Sequence, residues 1–366
     1  MTQAFETAIK ASIAQLSHYI DIHKARPNVN FAEHVRQKRM DLASRVSTKK
    51  LVYLDTNAWK CIADFREGKS NLTSAMSAFA LSLERAAQSG AFVFPIGLPT
   101  FFELDSMTSP ATRGTLSQLV DDLSQGFCIA PFQDRVGTEL HKLRMGDLHT
   151  PEGPENFLCS PVELLGIPKV SFPDFIKAHV EEETFNKAFF DTIAELPLSM
   201  QLEIAASAPG VKWDNSRNIA DLNAGKDGHW SGIENLNTGI FVELKGCIGT
   251  WFAEEGITIS SREIGIFALN ALYHWDQMPS SRALPTLCVL SSLYGLMRFD
   301  PQRRYRNGDP NDFMVAASAL PIANALFTDR KLANLLSDKR IGFNRFSNCA
   351  VVSGFDEMAE YLELQV

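Results

Sequence analysis

The stretch from Asn311 to Leu336, NDFMVAASALPIANALFTDRKLANLL, constrains the fold more than any other part of the chain. Behind Asp312, Phe313, Ala316, Ala317 and Leu320 recur at helical spacing. The small residues Ala316 to Ala319 let this helix lie close against a sheet, and Pro321 ends it. Ala325-Leu326-Phe327 reads as a short buried strand, with Thr328-Asp329 at its end and Lys331 to Leu336 starting the next helix. In a parallel sheet with helical crossovers, the carboxyl ends of the strands form the usual site crevice. Asp329 falls there, and Asp312 does too if its helix starts at that edge.

Earlier segments repeat the pattern. Leu51 to Leu54 reads as an apolar strand followed directly by Asp55-Thr56-Asn57, and Ala58 to Phe65 as a helix. Leu72, Met76, Phe79 and Leu83 mark a second helix that ends at Gly90, before the strand Phe92 to Phe94. Thr100-Phe101-Phe102-Glu103 opens another helix, which places Glu103 in its first turn as half of a capping box. A helix through Leu116, Leu119, Val120 and Leu123 leads to a third strand, Phe127 to Ala130. Strands alternating with helices predict an α/β fold with a parallel sheet covered on both faces.

The alternation stops after Phe132. Residues 133–284 hold turn-rich pieces, Thr150 to Pro154 and Asn223 to Gly228, between helical stretches such as Val180 to Leu196 and Leu198 to Ala206. They read as a mostly helical insertion into an α/β domain formed by 50–132 and 285–366. Residues 1–49 read as an N-terminal arm: an amphipathic helix through Phe5, Ile9, Ile13, Leu16 and Ile20, then a basic stretch from Lys24 to Lys50. That stretch reads as a solvated helical face, with a phosphate-contacting arm as the rival.

Charge and cysteine usage bound the function. The 366 residues carry 35 Lys and Arg against 43 Asp and Glu, a net charge of -8, so a polyanion would have to be met by a local patch. Six cysteines without a C-x-x-C pair argue against a zinc or disulfide framework and for a reducing cytoplasm. Neither a leader nor a membrane-spanning run is evident. No G-x-x-x-x-G-K-[ST] loop is present, which argues against an NTPase.

Four acids therefore share one kind of position: Asp55, Glu103, Asp312 and Asp329. Each alone is well explained as a helix-terminal cap. Together at one rim they would repel one another unless some are protonated or a cation sits among them. Oxygen-only ligands favour Mg²⁺ or Mn²⁺, and a hard metal on carboxylates suits phosphoryl chemistry. The run Arg303-Arg304-Tyr305-Arg306 adjoins Asp312. Its arginines could take phosphate oxygens and its tyrosine could stack on an unpaired base.

In LVYLDTNAW around Asp55, LPTFFEL around Glu103, NDFMVAASAL around Asp312 and LFTDRKL around Asp329, the chain resembles the PIN-domain nuclease family. The resemblance covers about 50–132 and 285–366, in a chain far longer than the compact members. It implies a Rossmann-like α/β/α sandwich and metal-dependent hydrolysis of phosphodiesters, usually in single-stranded RNA. It also implies one or two Mg²⁺ or Mn²⁺ ions on Asp55, Glu103, Asp312 and Asp329, with Thr56, Asn57 and Thr328 orienting ligands or waters. Asp309 reads as the cap of the Asp312 helix, with a fifth site acid as the alternative. The rival expectation is a non-catalytic PIN-like module that binds RNA or protein. A haloacid-dehalogenase-type phosphatase ranks lower, because Asn57 stands where its second aspartate is required. A second copy of the chain and a protein inhibitor or regulator stay open as partners.

Overall fold

The computed structural model describes residues 15–106, 109–150, 152–166, 180–207, 216–229 and 232–365. Helices α1 (15–24) and α2 (Phe31–Val46) lead into β1 (Lys50–Leu54). Then come α3 (Thr56–Arg66), α4 (Ser74–Gln88), β2 (Phe92–Val93), α5 (Leu98–Ser106), α6 (Pro110–Ser124), β3 (Cys128–Ile129) and α7 (Phe132–Met145). The next part holds β4 (Leu158–Cys159), α8 (Pro161–Leu164), α9 (Glu182–Ala194), α10 (Leu198–Ser207) and α11 (Ser216–His229). It continues with α12 (Leu236–Glu254), α13 (Ser261–Gln277) and α14 (Pro285–Phe299). The chain closes with α15 (Asp309–Ala319), β5 (Ala325–Thr328), α16 (Arg330–Leu336), β6 (Ala350–Ser353) and α17 (Phe355–Glu363). Phe5, Ile9 and Ile13, expected in the first helix, lie outside the described residues.

The protein is mostly helical around one four-stranded parallel sheet of order β2-β1-β5-β6. Leu54 pairs with Phe327, so the carboxyl ends of β1 and β5 are level. Alternation along β1 sends its side chains to two separate cores. Val52 and Leu54 join Trp59, Phe79, Phe327 and Met358 under α3, α4 and α17. Leu51 and Tyr53 join Leu293, Phe313 and Leu326 under α14 and α15. Both faces are thus covered, and full burial of a side chain such as Phe327 stabilises by about 2–3 kcal/mol.

Three expectations need correction. The strand at Phe127 to Ala130 does not extend the parallel sheet. Its core, β3, pairs antiparallel with β4 and meets the β2 segment through a single bridge, Ile96 to Cys128. Pro95, two residues beyond β2, has no N–H to offer a ladder. Second, Asn223 to Gly228 is not a turn but part of α11. Lys226 is buried and its ammonium donates to the carbonyls of Asp300 and Arg303, while Asn223 bonds both ways with the Tyr305 backbone. These tertiary bonds outweigh the weak helix propensity of the two glycines. Third, α5 begins at Leu98, so Glu103 lies mid-helix rather than in the first turn. Thr100 is buried with its hydroxyl 3.2 Å from that of Tyr53, and no capping box forms.

Between β3 and β5 the described chain is helical apart from β4 and single 3-10 turns. Helices α12 and α14 come into backbone contact at Gly239 and Gly295. A Cβ on Gly239 would sit 2.5 Å from the Gly295 carbonyl oxygen, and one on Gly295 would sit 2.7 Å from the Ile240 nitrogen. The start of α14 has no cap from its own neighbours. Instead the buried Glu139 carboxylate accepts the N–H groups of Thr286 and Leu287 at 2.9 and 2.8 Å. Among the described residues, no helix is long and apolar enough to cross a membrane.

Candidate active site

The level strand ends of β1 and β5 set two acids side by side. Asp55 is the N-cap of α3 and accepts the Thr56 N–H at 2.7 Å, while Asp329 is the N-cap of α16 and accepts the Leu332 N–H at 2.8 Å. Thr328 ends β5 and donates its hydroxyl to Asp55 at 2.8 Å. Capping and a site role coexist here, since a cap engages only one carboxylate oxygen.

Glu103 arrives from α5. It takes a hydrogen bond from Thr56 and another from the Asn311 amide. Asp312 arrives from the first turn of α15, 3.1 Å from the Lys331 ammonium. Burial holds the Asp55 carboxyl above its ordinary range, and the Asp329 charge adds to this. Burial does the same to Glu103, with the Asp55 charge adding. Asp312 is pushed up to about 7 by burial, helped by Asp55 and Asp329 and opposed by Lys331. The four acids are therefore electrostatic neighbours at the carboxyl edge of the sheet.

Their present side-chain positions are held by protein donors rather than focused on one point. Among the described residues, the trio whose ligand atoms fall within 4.8 Å of one another is His23, His34 and Asp191, not any three of these acids. Asp312 turns to Lys331, Glu103 to Asn311, and Asp55 to Thr328. The donor set itself fits a hard divalent ion: all oxygen, partly buried, with three of the four carboxyls unfavourably charged. Asn311 adds a further oxygen, since its Oδ1 is buried without a hydrogen-bond partner. A cavity of about 380 Å³ opens beside Asp55, Asn57, Thr328 and Asp329, but Glu103 and Asp312 are not in its wall.

The other expected residues are distributed as follows. Asp309 is not the cap of α15, which is Gly308. It is the first helical residue, buried, accepting the Arg306 N–H at 2.8 Å and pairing with Lys331. Tyr305 is 4% exposed and packs near Tyr294 in the core, so it cannot stack on a base as expected. Arg303 pairs with Asp300 at 3.3 Å and Asp338 at 3.5 Å, and Arg304 pairs with Asp227. Among the described residues, Arg306 is the arginine of this loop whose exposed side chain makes no ion pair. The basic loop is braced by acids and by α11 rather than spread for phosphates. In the N-terminal arm, Arg39 pairs with Glu163 and Lys38 with Asp191.

Three features escaped the sequence. Asn311 is adjacent to Asp312, and an amide beside a site acid was the available signal. Lys331 gave none, because a basic residue in a helix start reads as surface. His23, His34 and Asp191 gave none either, since Asp191 is 157 residues from His34. Comparison with protein-family models, with curated proteins and with solved structures finds no match.

Proposed function

We propose that this protein is a metal-dependent nuclease of the PIN-like kind, an endoribonuclease acting on single-stranded RNA, with Mg²⁺ or Mn²⁺ held by Asp55, Glu103, Asp312 and Asp329. The observation that carries the reading is the arrival of four carboxylates from β1, α5, α15 and β5 at one sheet edge, three of them held above their ordinary range. When bound, the metal supplies an activated water and neutralises charge that builds on the phosphate. The chain's own residues do the positioning. Thr328 fixes the Asp55 carboxylate, Thr56 and Asn311 fix Glu103, and Lys331 holds Asp312 when no metal competes. In this reading the Rossmann-like sandwich is the scaffold and the helices of 133–284 shape access to the edge.

The test is cleavage of labelled single-stranded RNA and matched DNA with Mn²⁺, Mg²⁺ or EDTA, comparing wild type with Asp55→Asn. Metal-dependent cleavage lost in the variant supports the reading. Equal cleavage by both proteins sinks the four-acid site. A second reading, a non-catalytic binding module, draws on one observation: Lys331 already supplies a cation to Asp309 and Asp312. It is favoured if neither nucleic acid is cut while RNA still binds.

A further inference from the structure

We propose that His23, His34 and Asp191 form a second metal site, for a divalent transition ion of the zinc class, which ties the N-terminal helix pair to α9. The proposal is independent of the acid site at the sheet edge.

The geometry is built by one face of α9. Glu183, Lys187 and Asp191 lie four residues apart, so they form a single stripe. Glu183 accepts the Phe31 N–H at 2.7 Å. Lys187, 1% exposed, donates to the carbonyls of Arg26 and Val29 at 3.1 and 2.6 Å. These bonds seize the turn between α1 and α2. His23, near the end of α1, and His34, in the first turn of α2, are thereby brought to Asp191. His23 Nε2 lies 2.9 Å from Asp191 Oδ2 and His34 Nε2 lies 2.9 Å from Oδ1. The three residues are 2%, 8% and 4% exposed.

Two imidazole nitrogens and a carboxylate oxygen within 4.8 Å of one another are a borderline donor set. Such a set suits zinc or its neighbours and not Mg²⁺ or Ca²⁺. Tetrahedral zinc with bonds of 2.0–2.1 Å keeps its ligands about 3.3 Å apart. Seating an ion therefore asks each imidazole nitrogen to draw back from the carboxylate oxygen it now meets by a few tenths of an ångström. Asp191 and Lys38 line a cavity of about 670 Å³ with Tyr19 and Glu195, which gives a route inward.

The competing account is a staple in which both imidazoles donate to the carboxylate. Lys38 distinguishes the two. Its ammonium lies 3.0 Å from Asp191 Oδ1, and its side chain is 43% exposed, free to swing out. In a staple Lys38 is one more favourable partner. At a metal site it is a competing cation.

The experiment uses the full chain, stripped with EDTA and titrated with Co²⁺, whose visible d–d absorption reports a four-coordinate ion. The expected result is one such ion per chain, displaced by Zn²⁺ and retained in Asp55→Asn. Its affinity falls at least about 100-fold in His34→Gln and rises several-fold in Lys38→Met. Circular dichroism shows whether His34→Gln keeps its helices. If that variant does not fold, Lys38→Met decides alone. Overturning results are no stoichiometric absorption in wild type, absorption that survives His34→Gln but is lost in Asp55→Asn, or a Lys38→Met protein that is less stable and binds Co²⁺ no better.

Discussion

Replacing Asp312 by Asn should stabilise the metal-free protein while removing its proposed activity. The Asp312 carboxyl sits largely out of water beside Asp55 and Asp329, and its pKa rises from 3.8 to about 7. A rise of that size corresponds to about 4 kcal/mol, an upper bound because the side chain keeps 23% exposure and the Lys331 pairing. A raised carboxyl contributes stability below its ordinary value and loses it as pH climbs through the folded value. With EDTA present, the Asn variant should therefore exceed wild type by up to about 2 kcal/mol at about pH 5 and up to about 4 kcal/mol at about pH 8. Urea unfolding at the two pH values, with slopes checked for equality, measures the difference. Mn²⁺ should then raise the wild-type midpoint and leave the variant's unchanged. A difference independent of pH, or a variant less stable than wild type at the higher pH, would refute the claim that Asp312 is a charge held at a cost.

Three further outcomes follow from packing. Gly295→Ala puts a methyl group 2.7 Å from the Ile240 nitrogen, so α12 and α14 must part. The expected loss is about 1–3 kcal/mol, and an unchanged melting temperature would mean that the helices have room. Tyr305→Ala should cost about 3–5 kcal/mol, as for other buried aromatics, and a loss below about 1 kcal/mol in thermal unfolding would return the ring to the surface. Glu139→Ala strips the cap from α14 and leaves the buried Arg135 without its nearby charge. Thermal unfolding should show a loss of about 3–5 kcal/mol, and a loss below about 1 kcal/mol would mean that water replaces the carboxylate.

What could be read from the chain was local. β1 and β5 are short apolar runs ended by acids, and an aspartate before a helix is a strong cap signal, so Asp55 and Asp329 were legible. Glu103 was legible as an acid of the edge but not in its helical position, because the burial of Thr100 against Tyr53 is a tertiary contact. The same holds for Asn223 to Gly228, whose turn composition yields to Lys226 and Asn223 gripping the 300–306 loop. That grip also buries Tyr305, which sequence alone offers to solvent. The pairing of the third strand was hidden for a different reason: β3 finds β4 across the whole of α7, and no pattern in either run names its partner.

The basic side chains raise a question about how an acidic chain could hold a polyanion at this edge. Arg39, Lys38, Arg303 and Lys331 all face carboxylates within the protein, and the net charge is -8. A phosphodiester approaching the edge meets mainly acids, so in the nuclease reading the divalent ion must supply the attraction as well as the chemistry. Metal and RNA then bind with positive coupling, each tightening the other by the same factor. Lys331 opposes that coupling, since it lies on Asp312 where the ion is needed. Lys331→Ala should therefore bind Mn²⁺ more tightly and keep its metal-dependent RNA affinity. In the binding-module reading Lys331 is itself the attraction, and the same substitution weakens RNA binding equally with Mn²⁺ and with EDTA. Parallel titrations of RNA into the two proteins under both conditions separate these cases, because RNA affinity in Mn²⁺ is kept in the first and falls in the second.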